Sequence, residues 1–279
     1  MVDWMMLPLN DTIKKMELTN KLYRALENKE LLLHYQPQVQ ADTQEIIGFE
    51  ALLRWNNKEY GAVSPNMFIP MAEQTGMIRP IGLWVFKTAC EQLTVFQNIF
   101  CKNLSMSINL SLEQLKDIDI VNKISNILND TGTNADNIQV EITESIAFNE
   151  DSFILQQLED VKNLGISISI DDFGTGYSSF TRLKSFPIDL LKIDIDFVRG
   201  ISSGSQKDMA IIKSIINIAN NLGIEVLAEG VETREQFMYL REKGCKFIQG
   251  YYFYKPMKSN EVESLLGNKP KTGLITVNM

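Results

Sequence analysis

Histidine is nearly missing from this chain: His34 is the single one in 279 residues. That scarcity excludes His-rich zinc sites and argues against a serine–histidine–acid triad. Cysteine is scarce too. Cys90, Cys101 and Cys245 are odd in number, widely spaced and without a C-x-x-C pair, so they read as plain buried or half-buried thiols, not as a disulfide framework or a thiolate metal site. Basic charge is in deficit, with Lys and Arg numbering 27 against 35 for Asp and Glu and a net charge of -8. Such a balance disfavours a broad grip on a DNA or RNA polymer, and an anionic ligand would need metal ions or a few placed cations. No apolar run approaches the roughly 20 residues of a membrane span. Met1 to Leu9 is broken by Asp3 and Pro8 and lacks a basic n-region, so the default expectation is a cytoplasmic protein without a membrane span.

The chain has material for one large α/β domain or two small ones, being 44% hydrophobic and 22% charged. Residues 1–16 show no clear pattern and are expected to be a linker, residues 17–268 the domain, and residues 269–279 a tail. Leu18, Leu22 and Leu26 mark an amphipathic helix from Glu17, and Leu31–Gln36 and Ile46–Leu53 read as strands. Their connection is too short for a parallel crossover, so these two strands should be antiparallel neighbours. Helices are expected near Asn66–Gln74 and over Ile81–Phe96. Strands then recur at Ser105–Asn109, Ile138–Ile142, Ile166–Asp171, Asp189–Ile193, Ile224–Ala228 and Lys246–Gln249, and a last helix at Ser259–Leu266. Gly165, Gly223 and Gly244 stand just before three of these strands, as left-handed helix caps do. Eight strands with helical crossovers predict a modified TIM (β/α)8 barrel with an antiparallel first strand pair.

The chemistry concentrates in S-I-S-I-D-D-F-G-T-G-Y-S-S, Ser167 to Ser179. Apolar alternation ends there at two adjacent carboxylates and a glycine-rich turn. Two carboxylates about 4 Å apart repel by roughly 4 kcal/mol at an effective dielectric near 20, so Asp171 and Asp172 call for a cation, a proton or open water. Polar residues also end the other strands: Gln36, Glu50, Asn109, Glu141, Lys192, Glu229 and Gln249. In a barrel these ends converge on one mouth, although Gln36, on an antiparallel strand, is not placed there by this argument. Any one of them taken alone reads as a solvated loop residue. Glu50 and Glu141, however, are embedded in apolar runs that point to burial, and buried carboxylates need partners.

Five carboxylates with Lys192 as the evident cation call for hard divalent ions, and oxygen ligation favours Mg²⁺ or Mn²⁺ over zinc. A two-ion cluster of this kind hydrolyses phosphodiesters without a histidine base. Lys192 would then face the attacked phosphate or orient the water; its plain alternative, a salt bridge to Asp171 or Asp194, does not exclude that role. Gly174-x-Gly176 lacks the third glycine of a dinucleotide fingerprint, and no P-loop G-K-[ST] is present. The run Tyr251 to Tyr254 reads mainly as wall and core, with base stacking as the alternative.

Taken in order, Y-Q-P at Tyr35, E-A-L-L-R-W at Glu50, N-L-S at Asn109, E-I-T-E at Glu141, D-D-F-G-T-G-Y-S-S at Asp171, L-K-I-D at Leu191, A-E-G-V-E-T at Ala228 and Q-G-Y at Gln249 resemble the EAL domain, the bacterial cyclic-di-GMP phosphodiesterase family. The resemblance runs from about Leu18 to Leu266. It implies cleavage of cyclic di-GMP to linear pGpG with two Mg²⁺ or Mn²⁺ ions. By motif match it implies Glu50, Asn109, Glu141, Asp171, Asp172 and Glu229 as metal ligands, with Lys192, Glu229 and Glu50 in catalysis. It implies Gln36, Arg54, Asp194, Glu232 and Gln249 near the substrate, and Glu144 as the residue holding the loop after Asp171-Asp172, a segment tied to the dimer interface. A homodimer is the implied assembly. Phe180, Asp196 and Tyr254 depart mildly from the family pattern, and none removes an implied ligand. A receptor that binds cyclic di-GMP without cutting it, and an unrelated Mg²⁺-dependent barrel enzyme such as an enolase-type lyase, are the rival readings.

Overall fold

A strand such as Ile138-Gln139-Val140-Glu141-Ile142 sends its isoleucines and valine to one face and its polar residues to the other. Where helices cover the apolar face, the polar face is left to line a barrel. The computed structural model, which describes residues 6–100, 102–149, 151–174, 183 and 186–267, has this arrangement.

β1 (Leu31–Gln40) and β2 (Ile46–Asn57) form an antiparallel hairpin, and β3 (Gly61–Val63) folds back on the far end of β2. β4 (Ser105–Asn109), β5 (Ile138–Thr143), β6 (Ser167–Phe173), β7 (Leu190–Ile193), β8 (Glu225–Ala228) and β9 (Phe247–Ile248) follow β2 in parallel, each hydrogen-bonded to the next. β1 closes the ring by pairing antiparallel with both β2 and β9. The result is a closed mixed barrel of eight strands, with β3 outside the ring. β3 is the strand the sequence reading lacks, because three residues are too few to show a period.

The N-terminal helix spans Met6–Ala25, so helix begins within the stretch expected to be a linker. Pro8 is compatible with it, because donors in the first turn have no intrahelical partner to lose. Leu18, Leu22 and Ala25 are buried. The helix Pro65–Gln74 starts one residue before its expected start and ends where expected, and Ile78–Phe100 runs past both of its expected ends. Gly165, Gly223 and Gly244 all have positive φ, as the helix-cap reading requires.

Two apolar regions hold the barrel. The larger lies between wall and helices, where Ile108, Val140, Ile168 and Leu191 meet Phe96 and Leu158. The smaller is a plug of Leu190, Leu227 and Phe247 with Ile47. Leu190, Leu227 and Phe247 lie two residues before Lys192, Glu229 and Gln249, so the plug closes the barrel beneath the polar residues. Ile47 joins it because the β1–β2 register slips between Gln38 and Val39, passing over Ile47. Cys90 and Cys245 are buried free thiols, and Cys101 lies outside the described residues.

Candidate active site

Lys192, near the end of β7, is 1% exposed, and an ammonium so placed must be paired. Its Nζ lies 2.5 Å from Glu229, 2.6 Å from Glu141, 3.2 Å from Asp171 and 3.9 Å from Glu50. Asp171 is thus a salt-bridge partner of Lys192 as expected, Asp194 is not among its partners in the described residues, and Glu50, Glu141 and Glu229 are partners that the sequence did not suggest. Four strands and the residue just after β8 supply this one cluster. Glu50 and Glu141 are buried, as their apolar neighbours implied.

Adjacent residues of a regular strand point to opposite faces, so Asp171 and Asp172 should diverge. They do not. The β6–β7 register shifts between Ile170 and Phe173, and Asp172 has φ 54, a left-handed conformation that Asp tolerates better than most residues. The irregularity brings oxygens of Asp171, Asp172 and Glu229 within 4.8 Å of one another. Gly174, at φ 99, then turns the chain, and its N–H donates to Glu144 Oε2 at 2.9 Å. Thr175 to Ser179 and Phe180 lie outside the described residues.

Amides complete the site. Asn109 Nδ2 donates to Glu50 Oε1 at 3.0 Å, and Gln249 Nε2 donates to Glu50 Oε2 at 2.6 Å. Gln36 sits opposite Glu50 in the β1–β2 register, so it is at the mouth despite its strand direction. Its Oε1 accepts from Gln249 Nε2 at 3.1 Å and its Nε2 donates to the Tyr254 carbonyl at 3.2 Å. Two glycines let these segments meet. A Cβ on Gly230 would lie 2.1 Å from Ile195 Cγ1, and one on Gly250 would lie 2.2 Å from the Val231 carbonyl oxygen.

The remaining expected substrate residues rim the mouth. Arg54 lies four residues beyond Glu50 on the same strand face, half-buried, with Nη1 donating to the Leu53 carbonyl at 2.9 Å. Burial pulls its pKa down, and Glu50 and Tyr251 oppose this. Asp194 caps the helix Ile195–Ser202, accepting from the Asp196 N–H at 2.7 Å, and hydrogen-bonds Asp172. Glu232 is exposed three residues after Glu229, its N–H bonded to Gln236 Oε1 at 2.7 Å, apart from the carboxylate cluster. Asp196 is exposed and Tyr254 half-buried.

Five carboxylates around one ammonium cannot all be ionised at low cost. Burial, then repulsion from Glu50, pushes Glu141 well above the usual carboxylate range. Burial likewise brings Glu229 to about 8, and burial with Asp171 brings Asp172 to about 7. Lys192 is pushed up by the same carboxylates against the effect of burial, so it stays charged. Glu141 Oε1 is buried without a hydrogen-bond partner among the described residues. An all-oxygen donor set with surplus negative charge and an unpartnered buried oxygen fits a hard divalent cation.

Sequence reasoning missed the polar layer beneath the cluster. Gln38 Nε2 donates to Gln249 Oε1 at 3.0 Å, and Ser107 Oγ donates to Gln139 Oε1 at 2.9 Å. The signal was present: Gln38, Ser107, Gln139 and Ser169 each stand two residues from a site residue on the same strand face.

An EAL domain family model matches residues 19–256. The chain is 38% identical over 255 residues to the oxygen sensor protein DosP of Escherichia coli strain K12, covering 91% of this chain and 32% of that protein. It is 37% identical over 254 residues to the cyclic di-GMP phosphodiesterase NbdA of Pseudomonas aeruginosa, covering 91% of this chain and 32% of that protein. The solved structure of the PaMucR phosphodiesterase in complex with c-di-GMP aligns with a TM-score of 0.84 at 37% identity, covering 88% of this chain and 99% of that one. The chain therefore spans about a third of the length of the two sequence relatives.

Proposed function

Because this chain belongs to the EAL domain family, we propose that it hydrolyses cyclic di-GMP to linear pGpG, lowering a bacterial second messenger. The observation that carries the reading is the convergence of Glu50, Glu141, Asp171, Asp172 and Glu229 around the buried Lys192 at the barrel mouth.

Glu50, Asn109, Glu141, Asp171, Asp172 and Glu229 would hold two divalent ions, Mg²⁺ or Mn²⁺. Such ions, when bound, supply Lewis acidity toward phosphoryl oxygens and an acidified water. The protein's own groups account for the rest. Lys192, held charged by its carboxylate partners, is a fixed point charge for the negative charge that develops on the attacked phosphate. Glu229, which lies 2.5 Å from Lys192 Nζ and carries a raised pKa in the metal-free site, would give up its proton on taking an ion and act beside the attacking water. Gln249 fixes the plane of Glu50, and Gln36 is tied to Gln249 beside it. Arg54 keeps donors beyond the one spent on Leu53 and can fork onto a phosphate. Asp194 and Glu232 stand at the rim for substrate contacts, and Tyr254 fixes Gln36 through its carbonyl. A cytoplasmic address and a homodimer belong to the same proposal. Among the described residues no helix is long and apolar enough to cross a membrane.

Purified protein incubated with cyclic di-GMP and Mn²⁺ should yield pGpG by chromatography, and Glu50→Ala should lower the rate by at least about a hundredfold, since it removes an implied ligand and the partner of two amides. Tight binding without turnover would instead support a receptor.

Glu144 accepts from the Gly174 N–H, just beyond Asp171 and Asp172. Glu144→Ala should therefore lower kcat about tenfold or more by loosening the segment that carries Asp171 and Asp172. Mn²⁺ titration should show weakened affinity in the same variant. Unchanged Mn²⁺ affinity and kcat would contradict this role.

A further inference from the structure

Glu50 is an acceptor on both oxygens, so a neighbouring side-chain amide helps it only if its NH₂ end, not its carbonyl, faces the carboxylate. Gln249 presents the correct end, with Nε2 at 2.6 Å from Glu50 Oε2. A glutamine amide is nearly symmetric in shape, and an end-for-end flip would bring oxygen against oxygen at that distance. Glu50 itself favours the NH₂ end, and so does Gln36, whose Oε1 takes the second hydrogen of the same Nε2 while its own Nε2 is held by the Tyr254 carbonyl. Neither holds the carbonyl end of Gln249.

The other end of Gln249 meets Gln38. Gln38 Nε2 donates to Gln249 Oε1 at 3.0 Å, and Gln38 is 3% exposed, so water has little access to replace it. The orientation of Gln38 is itself determined from below. Its Nε2 also lies 3.4 Å from Ser107 Oγ, whose proton goes to Gln139 Oε1 at 2.9 Å, leaving the hydroxyl oxygen as an acceptor. Donors are thereby aligned along one path, from Gln38 to Gln249 and from Gln249 to Glu50.

We propose that Gln38 is a positioning residue: by holding the carbonyl end of the Gln249 amide it locks the NH₂ end onto Glu50, and through Gln249 it fixes the Glu50 carboxylate. It acts through another side chain and does not reach the reacting atoms. The inference rests on the reading of Glu50 and Gln249 as parts of a metal-dependent phosphodiesterase site.

Gln38→Met keeps the length and removes the donor, whereas Gln38→Glu keeps the shape and offers only acceptors when ionised. Outer hydrogen-bonding partners of metal ligands typically matter by about 10- to 100-fold in affinity or activity. Gln38→Met should lower kcat for cyclic di-GMP and Mn²⁺ affinity about tenfold, with the melting temperature within a few degrees of wild type. Gln38→Glu should lower both further, because an ionised acceptor there repels the Gln249 carbonyl that Gln38 holds and pushes the amide out of place. The decisive arm is a double-mutant cycle with Gln249→Met. If Gln38 works only through Gln249, Gln38→Met should change Mn²⁺ affinity and kcat less than about twofold in the Gln249→Met background. Losses that multiply in the double variant would overturn the proposal. So would a Gln38→Met protein that keeps wild-type Mn²⁺ affinity and kcat. Failure of the wild type to cut cyclic di-GMP would remove the function proposed above instead, and the Mn²⁺ titrations would then decide the role of Gln38 by themselves.

Discussion

Lys192→Met is expected to lower kcat at least a hundredfold, because removing one preorganised charge from a site where charge develops typically costs about 10²- to 10³-fold. The same substitution should destabilise the metal-free protein. Lys192 touches Glu141, Glu229, Asp171 and Glu50 within 4.0 Å, and its loss leaves those carboxylates to repel one another in a site that buries Glu50 and Glu141. Breaking a buried ion pair from one side costs about 3–5 kcal/mol. In a chain of this size that lowers the melting temperature on the order of 10 °C. Saturating Mg²⁺ should close most of that gap in the variant without restoring turnover, since a divalent ion relieves the repulsion but does not replace the ammonium. Calorimetry with and without Mg²⁺, beside a steady-state assay, separates the two effects. A variant with normal turnover would contradict the catalytic role proposed for Lys192.

Divalent-ion affinity should rise at least tenfold between about pH 6 and pH 8, because each ion must displace protons that the folded site retains. Burial first raises Glu229 to about 8 and Asp172 to about 7, with Glu50, Asp171 and Asp194 as the other acids that raise them and Lys192 as the opposing cation. The sign for stability follows. Folded carboxyl groups with raised pKa hold more protons than the unfolded chain from its ordinary values of 4.5 and 3.8 upward, so the metal-free fold loses stability as pH rises toward 8. The loss is at most about 1.4 kcal/mol per proton for each pH unit. Saturating Mn²⁺ should reverse the trend, and the stabilisation it confers should be greater at pH 8 than at pH 6. Titration calorimetry in buffers of different ionisation enthalpy would count the released protons. Affinity that is flat with pH, with no proton release, would contradict a site built from these carboxylates.

Much of this arrangement was legible in the sequence because burial of a charged residue leaves a local signature. Glu50 follows Phe49 and Glu141 follows Val140 in apolar runs, and both are buried in the structure. The antiparallel β1–β2 pair followed from a connection too short for a crossover. What was not legible depends on contacts between distant strands. Gln36 reaches the mouth because β1 runs down between β2 and β9, which its own residues do not reveal. Asp172 joins Asp171 and Glu229 through a register slip between Ile170 and Phe173. The alternating polar residues Gln38, Ser107, Gln139 and Ser169 have the pattern of a solvated strand face, and only closure of the barrel turns that face into an interior.

The central claim is that these carboxylates gather divalent ions at the barrel mouth. Crystals soaked in Mn²⁺, with diffraction measured at the manganese absorption edge, test it most directly. The account predicts anomalous density bounded by Asp171, Asp172 and Glu229, with a second peak toward Glu50, Asn109 and Glu141. A saturated crystal with no peak among these side chains, from protein that still turns over cyclic di-GMP, would contradict it.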